Sequence, residues 1–288
     1  MDPTAAQQTM TRETRLRLGP VPPDPDFADM AEQTWRLLGD RFMLRAAGDH
    51  RFHYRRGHGV TVERGEGAIV ADEELWLNGS VYAAIACING LLPIHASAVA
   101  HRGRVYAFTG PSGAGKSTLV TALGGHGLPM FCDDTLVLDL EGGAGDGQVA
   151  CLPGHKRLKL TPEALALTGA VAQERVCADL DKFYAVPPAG DVGAVLPLAA
   201  LVFLEEGGEE AFLPIAGAER IARLQDDHYT AQLFLAARGL DRGALFAHLA
   251  ALARRIPMAR FVRPRDTARF ASGVALAAEY VKSCDSSD

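Results

Sequence analysis

The sequence predicts a mixed α/β protein. A buried strand runs through a glycine-rich loop into a helix, with a small strand-rich lobe ahead of it and a helical region behind. Three observations carry this. Over residues 105–123 an apolar strand pattern, a loop holding three glycines and an apolar helical pattern follow one another without a gap. Residues 41–70 are short alternating runs split by Gly and His, as in a strand-rich lobe. Residues 225–281 are rich in Ala and Leu at helical spacing, interrupted near Ile256-Pro257 and Arg263-Pro264.

Taken in order, residues 1–26 are polar and end in a proline cluster, which predicts a flexible or extended lead-in. The strand-rich lobe covers 27–92 and closes on a helix over 73–89, where apolar residues recur at helical spacing. Residues 93–288 form the second domain. His101-Arg102-Gly103 turns a hairpin into the buried strand 105–108, and the helix after the loop runs over 117–123. A strand over 129–132 ends at Asp133-Asp134 and resumes over 135–140, into a glycine-rich turn at 141–147. Thr161-Pro162 starts a helix with Thr as N-cap and Pro at the first helical position. Residues 196–204 read as another buried strand.

Composition narrows the function classes. The 288 residues carry 29 Lys+Arg against 35 Asp+Glu, a formal charge of −6, so the dense positive field needed for nucleic acid or an anionic membrane is missing. The five cysteines form no C-x-x-C pair, which excludes a disulfide scaffold and a recognisable zinc or iron–sulfur site. The N-terminal residues lack an apolar signal core, and the longest apolar run, 81–88, is too short to span a bilayer. A cytoplasmic protein is expected.

Gly110-Pro111-Ser112-Gly113-Ala114-Gly115-Lys116-Ser117 fits the Walker A (P-loop) pattern at every fixed position. The glycines let backbone N–H groups turn inward around phosphate oxygens. Lys116 adds a charge at the outer phosphates, and the Ser117 hydroxyl serves Mg²⁺. The loop is therefore expected to bind a nucleoside triphosphate. Suitably placed D-x-x-G and N-K-x-D motifs of a GTPase are absent, as are an ABC signature and an arginine-rich lid. Asp133-Asp134 follows Lys116 by 17 residues. Two adjacent carboxylates at a strand end can divide two tasks, one positioning Mg²⁺ and one taking a proton from an attacking hydroxyl. Spacing does not say which does which.

With these residues in order, the segment 94–140 resembles the catalytic domain of HPr kinase/phosphorylase. The features are His95 upstream of the loop strand, the P-loop through Thr118, and the aspartate pair. The family's histidine is usually followed by Gly and its lysine by Ser-Glu; here Ala96 and Ser117-Thr118 stand instead. These departures are more similar to HPr kinase-related proteins such as lasso-peptide precursor kinases, as are the turn 152–158 and Asp181-Lys182. The resemblance implies a P-loop, HPr kinase-like core using ATP and Mg²⁺ to phosphorylate a serine of a peptide or protein. It gives His95 a role orienting or neutralising the site, and allows a homo-oligomer. An HPr-like carrier-protein kinase, a regulatory ATPase without acceptor and an inactive interaction module are the alternatives.

Outside the motif, Lys156, Arg157 and Lys159 form the densest basic cluster, and Arg157 is the expected partner of the transferred phosphoryl group. Lys182 is a further catalytic candidate. Arg260, Arg263 and Arg265 are expected to grip acidic groups of the acceptor. His228 and Tyr229 read as packing residues, and Cys132 as a small strand residue.

Overall fold

The computed structural model describes residues 3–32, 34–141, 147–225 and 229–284. Helix α1 (Pro3–Glu13) and strand β1 (Leu16–Leu18) open the chain. Strands β2 (Thr34–Leu38), β3 (Arg41–Ala46), β4 (His50–Arg55) and β5 (Gly59–Glu63) follow. Together they form a sheet of order β1-β5-β4-β3-β2, antiparallel except for the β1–β5 pair. Alternation in the sequence sets its inner face: Phe42 lies opposite Tyr54 and Leu44 opposite Phe52, all buried.

The flexible lead-in expected over 1–26 is corrected for its first half. Residues 3–18 fold into α1 and β1, because Ala6 and Met10, four apart on one helix face, are buried in the main core. Glu13 then closes the end of α1. Its carboxylate accepts the Tyr54 hydroxyl at 3.0 Å and the Gly57 N–H at 2.7 Å. The composition is polar, but two apolar contacts and one buried carboxylate suffice to dock the helix.

The helical spacing over 73–89 corresponds to α2 (Glu73–Trp76), a π-turn (Leu77–Val81) and α3 (Tyr82–Ile88). Strand β6 (Leu92–His101) then pairs with β7 (Arg104–Thr109), which leads through the loop 110–115 into α4 (Lys116–Gly124). Strands β8 (Met130–Cys132) and β9 (Thr135–Asp139) run along the other edge of β6. Strands β10 (Ala150–Leu152) and β11 (Leu158–Leu160), helix α5 (Pro162–Thr168) and the hairpin β12 (Ala172–Cys177)–β13 (Leu180–Ala185) follow. Of the glycine-rich turn expected at 141–147, residues 142–146 lie outside the described residues.

The chain ends with β14 (Leu196–Glu206), β15 (Ala211–Pro214), α6 (Glu219–Leu224), α7 (Tyr229–Ala237), α8 (Arg242–Arg255), β16 (Met258–Arg263) and α9 (Phe270–Ser283). The larger sheet has the order β10-β9-β6-β7-β14-β16-β15, with β8 on β6 and β7, β14 and β16 mutually parallel. The interruption predicted in the C-terminal helices is thus a strand, β16, added beside β14. Along β14, Leu201 and Phe203 point to one core and Val202 and Leu204 to the other. Helices α3, α7 and α8 cover the first face; α4 and α9 cover the second. The first core is continuous with the inner face of the N-terminal sheet.

Candidate functional site

The loop 110–115 leaves β7 at the centre of the larger sheet and enters α4. Gly113 and Gly115 sit at φ +81° and +83°, and a Cβ on Gly115 would stand 2.8 Å from Arg263 Nη2. The left-handed backbone favours glycine at both positions. The first N–H groups of α4 have no partner within the helix, as suits an anion at its start. Lys116 is nearly buried. Its Nζ donates to the carbonyls of Gly110 (2.8 Å) and Pro111 (3.1 Å), so the ammonium lies across the loop.

The aspartate pair interrupts the strand beside β6. Cys132 stays opposite Ala98 and Thr135 opposite His95, so register survives on both sides. Between them Asp134 takes φ +69°, and the Thr135 N–H bonds the Asp133 carbonyl at 2.8 Å. This is a γ-turn in its rarer, strained form. It directs two consecutive carboxylates away from ordinary strand alternation.

Asp133 is buried and fully engaged. Its Oδ1 accepts the hydroxyls of Ser97 (2.5 Å) and Ser117 (2.8 Å), and its Oδ2 the N–H of Lys159 at 3.3 Å. Asp134 is more exposed, and its Oδ2 pairs with Lys159 Nζ at 2.8 Å. His95 Nδ1 stands 3.0 Å from the Asp134 carbonyl and 3.6 Å from its Oδ1. A carbonyl only accepts, so Nδ1 carries the proton and Nε2 keeps its lone pair. Burial, helped by the charge of Lys116, lowers the imidazole to about 4 and keeps it neutral.

The walls were not legible in the motif. Tyr229 bonds the Thr135 hydroxyl at 3.0 Å, and burial together with the Asp134 charge pushes its phenol upward. Gly79, on the π-turn, is close enough that a Cβ would meet Tyr229 Oη at 3.8 Å and Asp134 Oδ2 at 3.9 Å. His155 is held near 4 by burial and by the neighbouring Lys159 and Arg157 charges. Tyr229 is thus part of the site's wall as well as a packing residue; His228 lies outside the described residues.

The structure therefore brings His95, the loop, Lys116, Ser117, Asp133 and Asp134 together. Two expected catalytic groups it does not bring there. The Arg157 guanidinium is paired with Glu74 and Glu174 and lies 3.9 Å above the Tyr184 ring, a clamp between α2 and the β11–β13–β12 sheet. Lys159, two residues on, is the basic group that reaches the aspartates. Lys182 lies on β13, with no hydrogen bond or ion pair to the cluster among the described residues. Nor do the C-terminal arginines stand ready for an acceptor. Arg263 and Arg265 donate to the carbonyls of Ala114 (2.7 Å) and Gly113 (2.8 Å), bracing the loop, and Arg260 faces Glu205 at 3.8 Å. Lys156 is tied to the carbonyls of Phe131 and Val192.

Ser117 Oγ and Asp133 Oδ1 offer oxygen donors side by side at the loop's end, which suits Mg²⁺ with its few carboxylates and remaining water or phosphate ligands. Among the described residues no group of three or more His, Cys, Asp or Glu side chains gathers to cage a metal. The donor set fits a cation that takes its remaining ligands from water or phosphate. Among the described residues no helix is long and apolar enough to cross a membrane.

No protein-family profile matches the chain, and no curated protein does. Among solved structures it is similar to the Hpr(Ser) kinase/phosphatase from Coxiella burnetii, at 11% identity and a TM-score of 0.33, over 66% of this chain and 97% of that one.

Proposed function

We propose that the protein is an ATP- and Mg²⁺-dependent kinase that transfers a phosphoryl group to a serine hydroxyl of a peptide or protein. The observation that supports it most is the contact between the loop's own hydroxyl, Ser117, and Asp133, with Asp134 as its immediate neighbour. In this reading the loop 110–115 and the start of α4 hold the phosphates, and Lys116 leaves the Gly110 and Pro111 carbonyls to meet them. Ser117 and Asp133 would hold Mg²⁺, which when bound neutralises charge on the outer phosphates.

Asp134 takes the proton of the acceptor hydroxyl. It is the more exposed carboxylate, and Asp133 is already committed to Ser97 and Ser117. Lys159 positions Asp134 through its side chain and Asp133 through its backbone N–H. Neutral His95 orients the turn by donating to the Asp134 carbonyl. In its most specific form the acceptor is a lasso-type precursor peptide, a reading that rests on the sequence resemblance around Ala96 and Thr118.

The experiment is incubation with ATP, Mg²⁺ and serine-bearing peptides, followed by intact-mass analysis. One phosphoryl group gained by a peptide, and none by its Ser→Ala counterpart, is the expected result. ATP hydrolysis with no peptide phosphorylated would favour a regulatory ATPase.

A further inference from the structure

Beside the aspartate turn lies a cavity of about 350 Å³, between the larger sheet and helices α6, α7 and α8. His95 and Thr109 are among its lining, the latter being the last residue of β7 before the phosphate-binding loop. Its body is apolar: Leu201 and Phe203 from β14 form the floor, and Leu235 and Leu249 belong to its helical wall. Phe246, half exposed, and Arg242 stand among its lining on α8. Arg242 makes no hydrogen bond or ion pair with the described residues, whereas Arg223 in the same wall is neutralised by Glu205 and Glu219.

A cavity of this size takes one large side chain with room for the backbone that carries it. It adjoins His95, whose Nδ1 contacts the backbone of the proposed base. A group seated in it is therefore held within a side chain's reach of the transfer centre. An all-polar acceptor would leave the leucine and phenylalanine walls hydrated, whereas an apolar one removes them from water.

Resting on the kinase reading above, we infer that this cavity is the acceptor's specificity pocket: it takes a bulky apolar side chain flanking the phosphorylated serine. Arg242 adds a preference for a carboxylate on the solvent side of that residue. The pocket also explains how an extended segment can be positioned without a folded docking surface. Remote apolar binding orients the hydroxyl before transfer.

The test uses the full-length protein, Mg–ATP and a library of serine peptides varied one flanking position at a time. A second arm uses Ala231→Phe, which places a ring into the cavity from α7. Expected is a preference of at least tenfold in kcat/KM for Leu, Phe, Ile or Met over Ala and Asp at one flanking position. Ala231→Phe should raise KM for the preferred peptide at least tenfold, erase the preference, and leave ATP affinity within twofold. Arg242→Ala should remove the preference for an acidic residue and keep the apolar one. Equal rates across all flanking residues, with transfer to serine intact, overturn the pocket assignment and leave the kinase reading standing. An unchanged KM in an Ala231→Phe protein that folds and binds ATP does the same. Faster phosphorylation of a free apolar alcohol than of any peptide overturns the peptide as occupant. ATP binding with no serine phosphorylated in any peptide overturns both readings.

Discussion

Replacing Asp134 by Gly and by Ala separates its two roles. Both remove the carboxylate, but at φ +69° only glycine also relieves the backbone. Asp134→Gly should therefore be more stable than Asp134→Ala by about 1 kcal/mol in chemical denaturation, while both lose phosphoryl transfer. Asp133 differs in kind. Asp133→Ala leaves the buried Ser97 hydroxyl and the part-buried Ser117 hydroxyl without their acceptor, so it should cost roughly 1–3 kcal/mol of stability besides weakening Mg–ATP use. Lys116→Ala should abolish transfer with less than ~1 kcal/mol of destabilisation, since its ammonium is held by loop carbonyls rather than packed into the apolar core. The histidines set a pH dependence. His95 and His155 are held near 4 when folded, against an ordinary value of about 6.5. Between these values the unfolded chain binds more protons, so stability rises with pH through that window and is lost as pH falls from 6.5 toward 4. His95→Gln should flatten the slope of unfolding free energy against pH there, measured from urea titrations at several pH values; an unaltered slope would show that His95 is not buried as a neutral base.

At the scale of elements, what was legible followed from local pattern. The alternation in 41–70 became β3, β4 and β5, and the strand–loop–helix at 105–123 became β7 and α4. Asp133-Asp134 could be placed at a strand interruption because two carboxylates do not continue a buried strand. What was not legible depended on tertiary contact. Arg157 and Lys159 share a cluster in sequence, but Glu74, 83 residues away from Arg157, claims the arginine. Tyr229 and Gly79 reach the site only because α7 packs on α3 and β6 and the π-turn lies against the aspartate turn. Strand β16 was hidden between two helices because six residues with two arginines do not read as a central strand until β14 is beside them. The same strand places Arg263 at its end, where the guanidinium supports the loop 110–115, while Arg260 faces Glu205. Arg263→Ala should weaken ATP binding about tenfold, roughly 1.4 kcal/mol, in isothermal calorimetry. Arg263→Lys should restore little, because an ammonium lacks the planar reach to the Ala114 carbonyl.

Across the whole molecule, the N-terminal sheet and the larger sheet are joined by one apolar core, and α1 helps close it. Met10→Ala should accordingly destabilise the entire protein by ~2–5 kcal/mol, lowering the midpoint of a single thermal transition rather than detaching a lobe. That shared core also carries α3, α7 and the π-turn, so it holds the site's wall against its aspartates. On the kinase reading, the loop and the aspartate turn form one phosphoryl-transfer centre with Asp134 as its base. Single-turnover transfer from ATP to a serine peptide, in wild type and Asp134→Asn at saturating Mg–ATP, tests it most directly. Expected is a rate lower by roughly 10²–10⁴-fold with ATP affinity unchanged; a variant that transfers at the wild-type rate would remove Asp134 as the base.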